Sequence, residues 1–204
     1  MDIARIRDKF SAYRPTLQGA RGEYAVLVPL LERPDGIHLL YEVRAAKLHH
    51  QPGEVCFPGG EMEPGETPVT CALREAREEL GVAADRIEII GQLDFVLRGQ
   101  SIIYPVLTVL HIDDPAALPI GPDEVAEVFT VPIQWLREHP PEIYRRKVPI
   151  HPEDFPYSAV GVAPDYPWAP LGIEVPIYRG LPNPLWGLTA RITAHLMEIL
   201  DEER

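Results

Sequence analysis

Apolar residues fall in short runs separated by turn-forming residues, and the runs alternate between strand-like and helical character. Ile3, Ile6 and Phe10 share one face of a short amphipathic helix predicted over residues 2 to 13, ended by Arg14-Pro15. A polar link from Thr16 to Gly22 follows. Tyr24 to Leu31 is a strand-forming run interrupted by Pro29, Pro34-Asp35-Gly36 signals a turn, and Ile37 to Val43 is the next strand. The pair reads as a hairpin. Further on, Thr67 is a plausible N-cap, Pro68 suits the first helical position and Gly81 is a natural stop. Within that helix Val69, Leu73, Ala76 and Leu80 form the inward stripe.

Beyond this helix, Ile87 to Leu97 is strand-rich, Arg98-Gly99-Gln100 is a turn, and Ile102 to Ile112 is a long strand despite Pro105. A loop from Asp113 to Asp123 leads into a strand over Glu124 to Pro132 and a short helix over Ile133 to His139. Residues from about 140 to 184 are thick with Pro and aromatics, and predict either a long ordered insertion or paired strands with a loop lid. The last helix opens at Trp186 to Arg191 and runs to about Leu200, with Leu188, Ile192, Leu196 and Ile199 inward. Repeats, low-complexity tracts and domain boundaries are absent, so residues 1 to 204 read as one α/β or α+β domain.

Charge changes this picture. The formal net charge of −12 argues against nonspecific binding to nucleic acid or membrane surfaces. Two cysteines, Cys56 and Cys71, are too few for a disulfide framework and read as buried free thiols. No run is long and apolar enough to span a bilayer, and neither terminus carries a targeting signal, so a cytoplasmic protein is expected.

The chemistry concentrates in the helix after Thr67. Glu75, Glu78 and Glu79 stand at i, i+3 and i+4, so their carboxylates share one face. Like charges so placed repel unless a cation sits among them, and a hard divalent ion such as Mg²⁺ suits oxygen ligands. Just upstream, Arg44, Lys47, His49 and His50 form a basic cluster in an otherwise acidic chain. Arg suits phosphate oxygens through its planar fork, although such a cluster can equally balance Glu42 and Glu54.

The residues from Gly60 to Val82 resemble the Nudix box, Gly-x5-Glu-x7-Arg-Glu-U-x-Glu-Glu-x-Gly-U with U apolar, through Gly60, Glu66, Arg74, Glu75, Ala76, Glu78, Glu79, Gly81 and Val82. The stretch from 40 to 60 resembles the element that marks the coenzyme A pyrophosphatase branch of that family. Leu40, Arg44, Gly53 and Phe57-Pro58-Gly59-Gly60 match it, whereas Tyr41 replaces a Leu, Glu42 a Thr, Ala45 a Ser and His49 a frequent Arg. Trp186 to Arg191 resembles a segment common in the same branch.

The resemblance implies a Nudix fold, a mixed sheet sandwiched between helices. It implies a hydrolase that uses Mg²⁺ or Mn²⁺ to split coenzyme A, or an acyl or oxidised derivative, into 3′,5′-ADP and 4′-phosphopantetheine. Glu75, Glu78, Glu79 and the Gly60 carbonyl would hold metal, and Glu66 with Arg74 would brace the box. Arg44, with Lys47 and His49, would bind phosphate. Glu78, Glu75 or Glu124 would serve catalysis, with Glu127 in reserve to Glu124. The implied partner is a small nucleotide diphosphate met by a monomer or homodimer. ADP-ribose, a dinucleotide or a nucleoside triphosphate remain alternative substrates. An inactive nucleotide-binding regulatory module, or a partner surface in the Pro/aromatic segment, are the readings outside catalysis.

Overall fold

The structure is a computed structural model that describes residues 2–13, 17–148, 155–168 and 171–202. The predicted helix stop at Arg14-Pro15 and the start of the link at Thr16 lie outside the described residues.

Strand β1 (Gly22–Arg33) is the spine of a mixed sheet. It turns through Pro34-Asp35 into the antiparallel β2 (Gly36–Arg44), with Arg33 opposite Gly36. Two short strands follow, β3 (Val55–Cys56) on the side of β2 that β1 leaves free and β4 (Gly59–Glu61) antiparallel to β1. Strand β5 (Ile87–Gln92) and strand β6 (Val96–Arg98) both pair with β7 (Ser101–Leu110), which runs parallel to β1. Strand β8 (Val125–Pro132) lies antiparallel along β2.

Neither Pro29, read as an interruption, nor Pro105 breaks its strand. On one side of β1 the ladder to β4 ends at Val26 and the ladder to β2 begins at Leu30. The Leu27 N–H points to that side, donating to the Pro58 carbonyl at 2.7 Å. Strand alternation therefore aims the Pro29 nitrogen into the gap, where no donor is needed. Pro105 falls in the matching gap on β7, between Ile103 opposite Val96 and Val106 opposite Gln92.

Alternation along β1, β2 and β7 sends side chains to two cores. One face presents Ala25, Leu27, Leu31, Leu40, Val106 and Leu110 to Cys71, Ala72, Ala76 and Leu80 of helix α2 (Pro68–Leu80). The other presents Val28, Leu39, Tyr41 and Ile103 to α3 (Ile133–Glu138) and α5 (Gly187–Asp201) through Leu136, Ala190, Ile192, Leu196 and Met197. Tyr41 stacks between Phe57 and Phe129 at 5.0 and 5.5 Å, and its hydroxyl meets that of Thr193 at 3.0 Å. That bond satisfies a fully buried phenol. The result is the expected sandwich of a mixed sheet between helices.

Three expectations change in detail. Helix α1 (Ile3–Ser11) forms with Asp2 as its N-cap, but it buries none of its residues and Phe10 stays 66% exposed. Ile199 lies on the exposed side of α5, whose inward positions are instead Thr189, Ala190, Ile192, Thr193, Leu196 and Met197. The Pro/aromatic segment contains paired strands: β9 (Glu142–Val148), β10 (Leu171–Tyr178) and β11 (Leu185–Trp186) make an antiparallel sheet, and α4 (Tyr157–Val160) is one turn of helix.

Leu196 is fully buried at the centre of the α5-side core. Leu196→Ala should cost about 2–5 kcal/mol through lost transfer energy and the cavity left behind. A urea titration followed by circular dichroism measures it.

Candidate active site

The site lies where the sheet forks. Strand β2 pairs with β1 from Gly36 to Leu39, then continues from Leu40 to Arg44 along β8, with β3 on its other side at Glu42 and Val43. The freed edge of β1 is taken by β4. One arm of the fork is thus β1 and β4, under α2, and the other is β2, β3 and β8.

Helix α2 is fixed at both ends. The Thr67 hydroxyl accepts from the Thr70 N–H at 3.2 Å, and the Thr70 hydroxyl accepts from the Thr67 N–H at 2.8 Å. Gly81 closes the helix in the left-handed conformation, φ 65°. The Gly121 N–H, donating to the Glu79 carbonyl at 2.9 Å, ties the last turn to the loop before β8. This fixes where the acidic face points.

Glycines bring β4 beneath that face. A Cβ on Gly59 would stand 2.3 Å from the Ala25 carbonyl oxygen, and one on Gly60 would stand 2.2 Å from the Glu75 Oε1. The Gly59 N–H donates to the Glu79 Oε2 at 2.8 Å, so Glu79 reaches into the fork and is buried there. The expected face of three carboxylates therefore has a gradient: Glu79 buried, Glu75 half-buried, Glu78 exposed.

Arg74 is the cation amid these acids. Its Nε and Nη2 donate to the two oxygens of Glu66 at 2.9 and 3.1 Å. Its Nη1 donates to Glu75 at 2.7 Å and to Glu78 at 3.2 Å, and Nη2 also reaches the Glu61 carbonyl at 3.1 Å. The Arg74 bonds, aided by the Glu63 N–H, hold the Glu66 carboxyl down at about 2. Glu75 shifts the other way, raised by desolvation that outweighs its Arg74 contact.

Across the fork stands a carboxylate that sequence reasoning did not single out. Glu42 follows Leu40 by two residues on β2 and so faces the α2 side, with 1% of its surface exposed. The Cys56 thiol donates to its Oε1 at 3.2 Å, while its Oε2 has no hydrogen-bond partner among the described residues. Burial, opposed by Cys56 and Arg44 and reinforced by Glu124 and Glu75, pushes Glu42 up to about 7. Burial and the charge of Glu42 push Glu79 up to about 9. The sequence signal was a charged residue at an inward position of an apolar strand, where the branch pattern has Thr.

The other predicted residues divide by position. Arg44 is half-buried at the end of β2, donates from Nε to the His50 carbonyl at 3.3 Å, and acts on Glu42 through its charge. Lys47 and His49 sit exposed on the following loop, and Lys47 pairs with Asp123. The Glu124 carbonyl accepts from the Ala45 N–H at 2.8 Å, and the Glu124 charge reaches Glu42, Glu75 and Glu79. Glu127 instead accepts from Asn183 at 2.6 Å. Arg191 lines a cavity of about 320 Å³ with Leu93, Phe95 and His195, on the α5 side and apart from the carboxylates.

Residues 23–153 match the NUDIX domain. The chain belongs to the Nudix family. Within that family it is similar to coenzyme A diphosphatases. It is 32% identical over 200 residues to the human mitochondrial coenzyme A diphosphatase NUDT8, covering 96% of this chain and 77% of that protein. It is 38% identical over 135 residues to the peroxisomal coenzyme A diphosphatase NUDT7 of Mus musculus, covering 65% of this chain. The match spans 56% of that mouse relative's length. A Nudix hydrolase from M. Smegmatis, RenU, aligns over 59% of this chain and 78% of its own, at 24% identity and a TM-score of 0.49.

Nudix hydrolases in general use divalent ions, and the donor set here fits one. It offers hard carboxylate oxygens, a glycine cradle against Glu75 and the orphaned Glu42 oxygen. Among the described residues no three His, Cys, Asp or Glu side chains are yet gathered tightly enough to hold an ion. Arg74 and the Gly59 N–H engage Glu75, Glu78 and Glu79 instead.

The raised carboxyls set a pH dependence. Near pH 4 both groups are neutral in the folded and the unfolded chain; above about 4.5 the unfolded chain ionises first, while folded Glu42 and Glu79 keep their protons to about 7 and about 9. Their contribution to stability is full at low pH and is lost as pH rises through those values. In chelator the urea midpoint should fall from about pH 4.5 to about pH 9 and level off above that, and Glu79→Gln should flatten that decline.

Proposed function

We propose that the protein is a Mg²⁺- or Mn²⁺-dependent diphosphatase acting on coenzyme A or its acyl or oxidised derivatives, giving 3′,5′-ADP and the corresponding 4′-phosphopantetheine. The observation that carries this reading is the fork itself. It brings Glu42, which feels the charge of Arg44 from the stretch resembling the coenzyme A branch, within charge range of Glu75 and Glu79 of a complete Nudix box. The named activities of the human and mouse relatives support the substrate class.

In this reading Glu75, Glu78, Glu79 and the Gly60 carbonyl hold the ion. A bound divalent cation supplies positive charge against the diphosphate oxygens and the leaving oxygen. Arg44 receives phosphate through its charge-assisted hydrogen bonds, with Lys47 and His49 on the loop above it. Arg44 and Lys47 oppose, locally, the field of a chain whose net charge is −12. Arg74, gripped by Glu66, keeps Glu75 and Glu78 poised on the same side of α2. Water adds to phosphorus, one P–O bond of the diphosphate breaks, and an acidic side chain takes the proton. We assign that acceptor to Glu124, which is exposed at the fork while Glu78 is engaged with Arg74.

The deciding experiment is a panel of coenzyme A, acyl-coenzyme A, ADP-ribose, a dinucleoside polyphosphate and a nucleoside triphosphate, each with Mg²⁺ or Mn²⁺ and products identified by mass. Coenzyme A or a derivative should give the largest kcat/KM. A wide margin for ADP-ribose would overturn the substrate, and ligand binding with no turnover across the panel would favour a regulatory module.

Two substitutions separate the roles. Glu78→Gln should reduce both turnover and Mn²⁺ affinity while the protein folds normally. Glu124→Gln should lower kcat by about 10²–10⁴-fold with Mn²⁺ affinity kept, as expected on removing a general base. Near-normal turnover in Glu78→Gln contradicts its ligand role.

A further inference from the structure

We infer that Glu42 is an additional carboxylate for the divalent ion, reaching it from the opposite arm of the fork with the Oε2 that has no hydrogen-bond partner among the described residues. The inference rests on the metal dependence proposed above. It adds a residue that lies outside the box and replaces the Thr of the coenzyme A branch pattern.

Three observations converge on it. First, Glu42 is directed at the acidic side of α2, because it alternates with Leu40, which packs in the α2-side core. Second, its two oxygens are treated differently. The Cys56 thiol on the neighbouring strand holds Oε1, fixing the carboxylate's orientation, while Oε2 is buried and without a hydrogen-bond partner. Buried carboxylate oxygens are normally satisfied, so an orphan aimed into a site calls for a missing partner. Third, the acidic groups around it suit a cation as that partner. Glu79, Glu75 and Glu124 all bear on Glu42 or are borne on by it, and Arg44, the nearby positive group, directs its Nε to the His50 carbonyl.

A structural role alone accounts for this arrangement poorly. Glutamine would accept the Cys56 bond as well as glutamate does, and would not add an ionisable group beside three others. The charge is useful only with a counter-ion. Glu42 would then join the two arms when the ion binds, since Gly60, Glu75 and Glu79 belong to the β1–β4–α2 side and Glu42 to the β2–β3–β8 side.

Mn²⁺ titration of the full chain, followed by calorimetry and by loss of the free-ion paramagnetic resonance signal, tests this without substrate. Wild type should bind Mn²⁺; Glu42→Gln and Glu42→Thr should bind about 10- to 100-fold more weakly, the range seen when residues that support a metal site are lost. In chelator above about pH 7 both variants should melt no lower than wild type, because the substitution removes a buried carboxyl that ionises there without a partner. Unchanged Mn²⁺ affinity in both variants overturns the inference alone. Failure of both to fold also overturns it, since Glu42 would then be structural. A wild type that takes up no Mn²⁺ overturns the metal reading and this inference together.

Discussion

Concentrating carboxylates in a half-buried place is the constraint that the rest of this protein serves. Glu79 and Glu42 are buried, Glu75 is half-buried, and each raises the cost of ionising another. Only fixed positive groups and backbone donors make such a cluster tolerable. Arg74 supplies one with four acceptors on three carboxylates, and the Gly59 N–H supplies another. A charged side chain with so many partners is also a brace, because it can satisfy them only in one helix-to-loop geometry.

The two cores explain why that cluster stays in place. The α2-side core anchors the acidic helix through Cys71, Ala72, Ala76 and Leu80, small or flat enough to bring the helix close to β1 and β4. The opposite core anchors the other arm through Tyr41, held between two aromatic rings and bonded to Thr193. Tyr41 and Glu42 are neighbours on one strand, so the packing of one sets the aim of the other.

Much of this was legible in the sequence because it is encoded locally. Thr67, Pro68 and Gly81 mark a helix regardless of what surrounds it, and the resemblance to the Nudix box implied that Glu66 and Arg74 brace one another. Pro34-Asp35 announces the hairpin in the same way. What was not legible depends on strands far apart in the chain. Whether Pro29 interrupts β1 turns on where two different partners stop and start. Glu42 looks like any polar residue in a strand until the neighbours of β2 are known. The periodicity that placed Ile199 inward failed because α5 outlasts the surface it covers.

The fork has a consequence for divergence. In the proposed reading the chemistry and the recognition hang on different arms, which meet at the hairpin, across the acidic gap and through the Gly121 bond to Glu79. Residues 45 to 53 and the Asp123 loop belong to the outer arm and are largely exposed, so they can exchange side chains without disturbing the helix that carries Glu75, Glu78 and Glu79. A lineage built on this frame is free to retune which molecule it admits while the bond-breaking apparatus is inherited intact.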